Sequence, residues 1–354
     1  MINLDDFSAM QAIDSDHMLT HIDRLPSQFE RAWQHAKIQP LPDLSQIRQV
    51  VISGMGGSAI GGDLLAAIVA DSAPIPITVI RGYTLPAWVQ GSHTLFIASS
   101  FSGNTEETLS AYQQANTRGV EVIGITTGGK LAQELANNQQ TVWLFPDEIG
   151  HPRAALGWSL GLLLGLAWRA GWAPYLKTDY PKAVAHLKEI QPQYQAETPI
   201  ARNAAKRLAG QLIDRLPIFV GGGAFEVVAK RWKTQLNENS NTWGCYEPMP
   251  EMNHNAVVGV EQPEKLISKL AALFITSNLD HPRVQLRHKL TSEQFMQAGL
   301  WVDSFTPSGE SLLSQVLHAI LFGDYLSFYV AMAYQVDPAI IAPIKALKEA
   351  LSQQ

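Results

Sequence analysis

Residues 50–68, VVISGMGGSAIGGDLLAAI, and residues 217–236, PIFVGGGAFEVVAKRWKTQL, carry one pattern twice. In each, a short apolar run ends in a glycine turn and passes into a segment of helical length. A second echo follows in the same order: LFIASS at 95–100 returns as LFITSN at 273–278. The offsets are 167 and 178 residues, close enough to indicate one α/β unit present twice.

Between the first copies the alternation is regular. RQVVIS (48–53), GGDLLAAIVA (61–70), PITVIRG (76–82), TLFIAS (94–99), EETLSAYQQA (106–115), VEVIGIT (120–126), KLAQELA (130–136) and TVWLF (141–145) run strand, helix and strand in turn. That order predicts βαβ units and a parallel sheet with helices on both faces. The expected organisation is a helical arm at 1–44, a doubly wound α/β domain at 45–150 and a helical connection at 151–205. A second α/β domain at 206–306 and C-terminal helices at 307–354 complete it.

The 354 residues are enough for two domains, and a 46% hydrophobic, 16% charged composition is that of a well-packed globular chain. Twenty-six Lys and Arg against 32 Asp and Glu give a net charge of −6. A surface tracking nucleic-acid phosphates is usually basic overall, so nucleic acid is not the expected partner. The sole cysteine, Cys245, cannot form an intrachain disulfide. The opening MINLDDFSAM has acidic residues where a signal peptide would be basic, so the expected compartment is the cytoplasm. AALGWSLGLLLGLAW at 154–168 is uncharged but falls short of the roughly 20 residues that cross a bilayer, and it predicts a buried helix. No membrane partner is expected.

Two glycine- or serine-rich turns carry the first chemical signal. SGMGGSAIGGD (53–63) follows a strand and opens a helix, a placement that offers backbone N–H groups to an anion. A dinucleotide site also needs an acidic residue at the end of the next strand, and here PITVIRG ends in Arg81 and Gly82. SSFSGNTEET (99–108) says more. Its hydroxyls crowd a strand-to-helix turn around Gly103, beyond what capping requires, and can wrap a phosphate without a lysine. Arg153 stands at the start of an uncharged helix, where an arginine is costly unless an anion compensates it. The ten histidines include no HExxH and no His/Cys cluster, so no metal and no cofactor is expected. His151 and His281, each before a proline, are expected turn residues.

SGMGGSAIGGD, ASSFSGNTEET, HPRAALG (151–157), KTQLNENSN (233–241) and PEMNHNAVVG (250–259) together resemble the bifunctional phosphoglucose/phosphomannose isomerases of the sugar isomerase, or SIS-domain, superfamily. The resemblance implies two duplicated SIS domains and metal-free aldose–ketose isomerisation of hexose 6-phosphates through an enediolate. It implies a phosphate cradle of the Gly56 and Gly57 amides with Ser58, Ser100, Ser102 and Thr105. It also implies Glu238 as the base for the carbon proton, His254 as the ring-opening group and Arg153 beside the enediolate. Relatives contribute this histidine across a subunit interface, which implies a homodimer. The lysine the resemblance points to is Lys348. The segment after Asp337-Pro338 lacks the threonine common in the family, and Lys345 is nearby. The alternative is a non-catalytic SIS module that senses a sugar phosphate; it would keep the 99–108 turn and need neither Glu238 nor His254.

Overall fold

The computed structural model describes residues 2–148 and 150–353. The chain opens with helices α1 (Phe7–Ile13), α2 (Met18–Asp23) and α3 (Leu25–Ile38), then β1 (Gln49–Ser53), α4 (Gly56–Ile68) and β2 (Ile77–Ile80). β3 (Thr94–Ser99), α5 (Glu106–Thr117), β4 (Glu121–Thr126), α6 (Gly129–Asn137) and β5 (Thr141–Leu144) follow. Helices α7 (Leu156–Arg169), α8 (Leu176–Ile190) and α9 (Ala204–Leu212) lead to β6 (Leu216–Gly222), α10 (Ala224–Ser240) and β7 (Cys245–Met249). The remainder is α11 (Glu264–Ile267), β8 (Leu270–Ile275), α12 (Pro282–Gln297), β9 (Trp301–Phe305), α13 (Leu312–Tyr334) and α14 (Ala342–Ser352).

These elements form two compact units, one of residues 24–184 and one of residues 1–23 with 185–354. The leading unit holds a parallel sheet in the order β2-β1-β3-β4-β5, and the trailing unit a parallel sheet in the order β7-β6-β8-β9. β6-α10-β7 and β8-α12-β9 repeat the topology of β1-α4-β2 and β3-α5-β4, so the duplicated α/β architecture is present. The copies differ at one edge. Among the described residues the trailing sheet has no counterpart of α6 and β5, and the chain runs from β9 directly towards α13.

Parallel strands buried on both faces read as continuous apolar runs, and β3, TLFIAS, is buried at all six positions. Val51, Phe96, Ala111, Tyr112, Val122, Leu131 and Leu135 form part of the core between this sheet and α5 and α6. In the trailing unit Val220, Met249, Ala272, Phe274, Phe295 and Leu300 do the same. The uncharged run at 154–168 is the buried α7, its glycines set against α3: a Cβ at Gly165 would sit 2.4 Å from the Ala36 Cβ. Among the described residues α13 is the one helix long and apolar enough to cross a membrane, and it is buried throughout.

α13 is the post on which the trailing unit is built. Asp324, near its middle, takes a bidentate contact from Arg231 of α10: Nε donates to Oδ1 at 3.1 Å and Nη2 to Oδ2 at 2.7 Å. Gln235 donates to the same carboxylate at 3.1 Å, Trp232 Nε1 to the Ala319 carbonyl at 2.8 Å, and Asn239 to the Ser327 hydroxyl at 2.9 Å. Burial pushes the Asp324 carboxyl up and the guanidinium beside it works against that shift. Removing one member of such a buried pair costs about 3–5 kcal/mol, so α10 is held firmly along its length.

His318, also on α13, is 5% exposed. Its Nδ1 accepts from the Ser308 N–H at 2.8 Å, and its Nε2 lies 2.7 Å from the Tyr194 hydroxyl. Burial lowers this imidazole from 6.5 to about 4. The unfolded chain therefore binds a proton here that the folded chain refuses, and stability falls as pH drops from 6.5 towards 4, by up to about 1.4 kcal/mol per pH unit. Thermal unfolding followed between pH 7 and pH 5 should show a falling Tm, and His318→Gln should make that fall shallower.

Candidate active site

In the order β2-β1-β3-β4-β5, the chain leaves β1 in one direction and β3 in the other. With right-handed crossovers, α4 and α5 then fall on opposite faces, and a crevice opens at the carboxyl ends of β1 and β3. The two strand ends touch: a Cβ on Gly54 would come 2.8 Å from the Ser99 carbonyl oxygen. The 54–58 and 99–105 turns are thus neighbours, and α4 and α5 both open there without a side-chain cap. Their first-turn N–H groups and positive dipole ends suit an anion.

The 99–105 turn is internally braced. Ser100 is 2% exposed; its hydroxyl accepts from the Gly103 N–H at 3.1 Å and lies 3.0 Å from the Thr105 hydroxyl. Ser102 Oγ accepts from the Asn104 N–H at 3.2 Å, and Asn104 Oδ1 from the Lys130 N–H at 3.0 Å. Thr105 is the N-cap residue of α5, yet its hydroxyl faces Ser100 rather than the helix. That hydroxyl serves the turn. Gly103 has φ +66°, and a Cβ there would lie 1.9 Å from the Gly128 carbonyl oxygen, so no other residue fits.

Arg153 comes to the same place. A short 3-10 turn, Pro152–Ala154, packs on the start of α4: a Cβ on Gly57 would be 2.9 Å from the Pro152 carbonyl oxygen and 3.8 Å from Arg153 Cα. Gly57, Ser58, Ser99 and Pro152 line one small void behind the crevice. Arg153 itself is 3% exposed. The structure therefore brings Gly56, Gly57, Ser58, Ser100, Ser102, Thr105 and Arg153 together in the leading unit.

The equivalent turn of the trailing unit, 276–281, is filled by its own side chains. Ser277 donates to Gln315 at 2.6 Å and accepts from the Leu279 N–H at 2.9 Å, while Asn278 accepts from Gln315 at 2.8 Å. It has no glycine and adds Asp280. The Ser277 hydroxyl of this turn is thus engaged by α13 and by the turn itself.

Glu238 lies half-buried in the last turn of α10, which stops where Asn241 adopts a left-handed conformation, φ 54°. It lines a pocket of about 440 Å³ with Asn237, Asn241, Thr242, Trp243, Ile341, Pro343 and Ile344. Ile341 and Ile344 stand at the start of α14, and Lys345 and Lys348 lie one turn beyond Ile341 and Ile344 respectively. Trp243, 74% exposed on the pocket rim, was not singled out by the sequence, where it is one of nine scattered tryptophans.

His254 is elsewhere. It is exposed in the turn Glu251–His254, which follows the carboxyl end of β7, whereas Glu238 precedes the amino end of the same strand. Five strand residues rise about 13–17 Å, so one chain does not bring Glu238 and His254 together in the trailing unit. Asn253 fixes the histidine turn, donating to Thr291 at 2.8 Å and accepting from Arg287 at 3.1 Å.

Among the described residues no group of three or more His, Cys, Asp and Glu could hold a metal ion. His281 caps α12, its Nδ1 accepting from the Arg283 N–H at 3.1 Å, and His151 opens the 152–154 turn.

Two family models match the chain: the SIS domain over residues 43–141 and the bacterial phospho-glucose isomerase C-terminal SIS domain over residues 201–351. The bifunctional phosphoglucose/phosphomannose isomerase of Caldicellulosiruptor bescii is 39% identical over 338 residues, covering 95% of this chain and 99% of the relative. The chain belongs to the bifunctional phosphoglucose/phosphomannose isomerase family, and it is an isomerase. The family's enzyme from Aquifex aeolicus is 31% identical over 312 residues, 88% of this chain and 92% of that one. A solved glucose-6-phosphate isomerase like protein from Thermus thermophilus shares the fold at 17% identity, with a TM-score of 0.65 over 96% of this chain and 98% of that one.

Gly103→Ala tests how the family's turn is built here. The added methyl must displace the 126–130 segment or flatten the turn, so KM for a sugar phosphate should rise at least tenfold while the Tm falls by a few degrees. An unchanged KM measured by steady-state kinetics would show that the turn's shape is immaterial.

Proposed function

We propose that this sugar-phosphate isomerase interconverts glucose 6-phosphate and mannose 6-phosphate with fructose 6-phosphate through a cis-enediolate, with no metal and no cofactor. The observation that carries the reading is the hydroxyl-lined crevice at the ends of β1 and β3, with Arg153 built against it. A phosphate there meets the Gly56 and Gly57 amides, two helix N-termini and the hydroxyls of Ser58, Ser100, Ser102 and Thr105. Arg153 supplies positive charge towards the substrate oxygens, where the enediolate develops.

Phosphate binding and proton transfer fall to different residues. Glu238 takes the proton from C2 of the open aldose and returns it to C1 of the enediolate, the carbonyl shifting from C1 to C2. Epimer tolerance follows if the enediolate is reprotonated on either face of C2. Trp243 offers a flat apolar surface to the C–H face of the sugar, and Lys348 assists ring opening.

Ring opening also needs a group that passes a proton at the ring oxygen, and imidazole is suited to it near neutral pH. Since β7 separates His254 from the Glu238 pocket of its own chain, the reading assigns that task to His254 of the partner subunit, in a homodimer. The exposed apolar side chains around this turn, Val258, Leu286 and Leu290, suit burial in such an interface.

A coupled assay with fructose 6-phosphate should show glucose 6-phosphate formation indifferent to EDTA. Glu238→Gln should lower kcat by at least about 100-fold with KM little changed, and near-normal turnover would remove Glu238 from the base role. Mixing inactive Glu238→Gln and His254→Ala chains should restore activity to about a quarter of the wild-type sites, because a mixed dimer has one intact pair. No recovery after verified subunit exchange would place both groups in one chain's site.

A further inference from the structure

His254 is the last residue of the four-residue 3-10 turn Glu251–His254 and is exposed, so its place is set by the backbone of that turn and not by packing of its ring. What holds the turn is its neighbours. Met252 is 1% exposed and packs with Val220, Met249 and Phe295. Asn253 reaches α12, where its Oδ1 accepts from Arg287 Nη1 at 3.1 Å and its Nδ2 donates to the Thr291 hydroxyl at 2.8 Å. With three residues per turn, successive side chains of a 3-10 helix point about 120° apart. Met252 is committed to the core and Asn253 to α12, so His254 is directed away from both.

The two asparagines around His254 work differently. Asn255 bonds locally, its Oδ1 accepting from the Ala256 N–H at 2.6 Å and its Nδ2 donating to Glu251 at 2.8 Å, as asparagine commonly does in a turn. Asn253 instead spans 34 and 38 residues of sequence and uses both ends of its amide. A guanidinium can only donate, so Arg287 fixes which end of that amide is the oxygen. The frame it grips is rigid. Val284, His288, Thr291 and Phe295 recur at helical spacing along the inward face of α12, and the last three are at most 3% exposed. The His288 ring meets Phe274 of β8 edge-on, their centres 5.8 Å apart. Arg287 and Thr291, four residues apart, stand on adjacent turns of this helix. An asparagine that served only the turn would bond within it, whereas one bonded to a buried hydroxyl of α12 ties the turn to the body of the unit.

We propose that Asn253 is a positioning residue of the isomerase: clamped between Arg287 and Thr291, its amide sets the 251–254 turn so that the His254 imidazole meets the sugar held by the partner subunit. The inference rests on the reading of His254 as the ring-opening group. Asn253 acts through His254 and not on the substrate. Without the clamp the turn drifts, and a shift of about 1 Å in a group that must meet the substrate can cost on the order of 100-fold in rate.

Complementation between impaired chains tests it. Asn253→Ala should lower kcat at least tenfold with KM changed by less than about twofold, because phosphate binding is left alone. Asn253→Asp still accepts from Arg287 and can accept from the Thr291 hydroxyl, so it should restore most of kcat. After verified subunit exchange, an equal mixture of Asn253→Ala and Glu238→Gln chains should rise to about a quarter of wild-type activity, and Asn253→Ala with His254→Ala should stay at the level of the parent chains. A misfolded Asn253→Ala chain would recover with neither; Arg287→Met, at a half-buried position, should then give the same pattern with a smaller loss of kcat, and its failure to do so would overturn the inference. Near-normal kcat for Asn253→Ala, or its recovery with His254→Ala, would overturn the inference while Glu238→Gln still complements His254→Ala. Failure of that last pair would instead overturn the two-chain reading beneath it, and the inference with it.

Discussion

Adjacent parallel strands that send their helices to opposite faces leave a crevice at their carboxyl ends, and every assigned feature of the leading unit depends on it. The crevice is where two uncapped helix N-termini and two short turns must coexist within a few ångströms. Glycine is therefore demanded at 54, 57 and 103 by close backbone approach, and hydroxyls rather than long side chains fill what remains. An anion is the natural complement of such a place, since it meets N–H groups that have no other use. In the second copy the 276–281 turn is closed on Gln315, and α10 of the same unit carries the Glu238 carboxylate in its last turn.

Holding that carboxylate is a problem of rigidity. Glu238 is seven residues, two helical turns, beyond Arg231, whose buried pairing with Asp324 fixes α10 to α13. Gln235 and Asn239 continue the same attachment along the helix, and Asn241 ends it. The end of α10 is therefore placed by contacts made further back, and substitutions there would act on Glu238 through position alone.

Much of this was legible in the sequence. Alternating apolar runs gave both sheets, the repeated LFIxS strands gave the duplication, and the crowding of Ser100, Ser102 and Thr105 around Gly103 marked the crevice because capping alone does not need so many hydroxyls. Arg153 was visible as a lone charge before an apolar helix. Other features were not legible, for physical reasons. Sixteen residues separate Glu238 from His254, yet β7 lies between them and carries the chain across the sheet, so nearness in sequence did not mean nearness in space. The division of the N-terminal arm, α1 and α2 joining the trailing unit, depends on contacts such as Tyr325 with Asp23 and Lys206 with Asp5, over separations no local pattern encodes. The missing edge of the second sheet shows only when the two copies are compared as structures.

The most direct measurement is a crystal structure with fructose 6-phosphate bound. The account predicts phosphate density against the Gly56 and Gly57 amides and the hydroxyls of Ser100, Ser102 and Thr105, with the guanidinium of Arg153 on the sugar side. Phosphate density at the 276–281 turn, or anywhere away from the ends of β1 and β3, would contradict it.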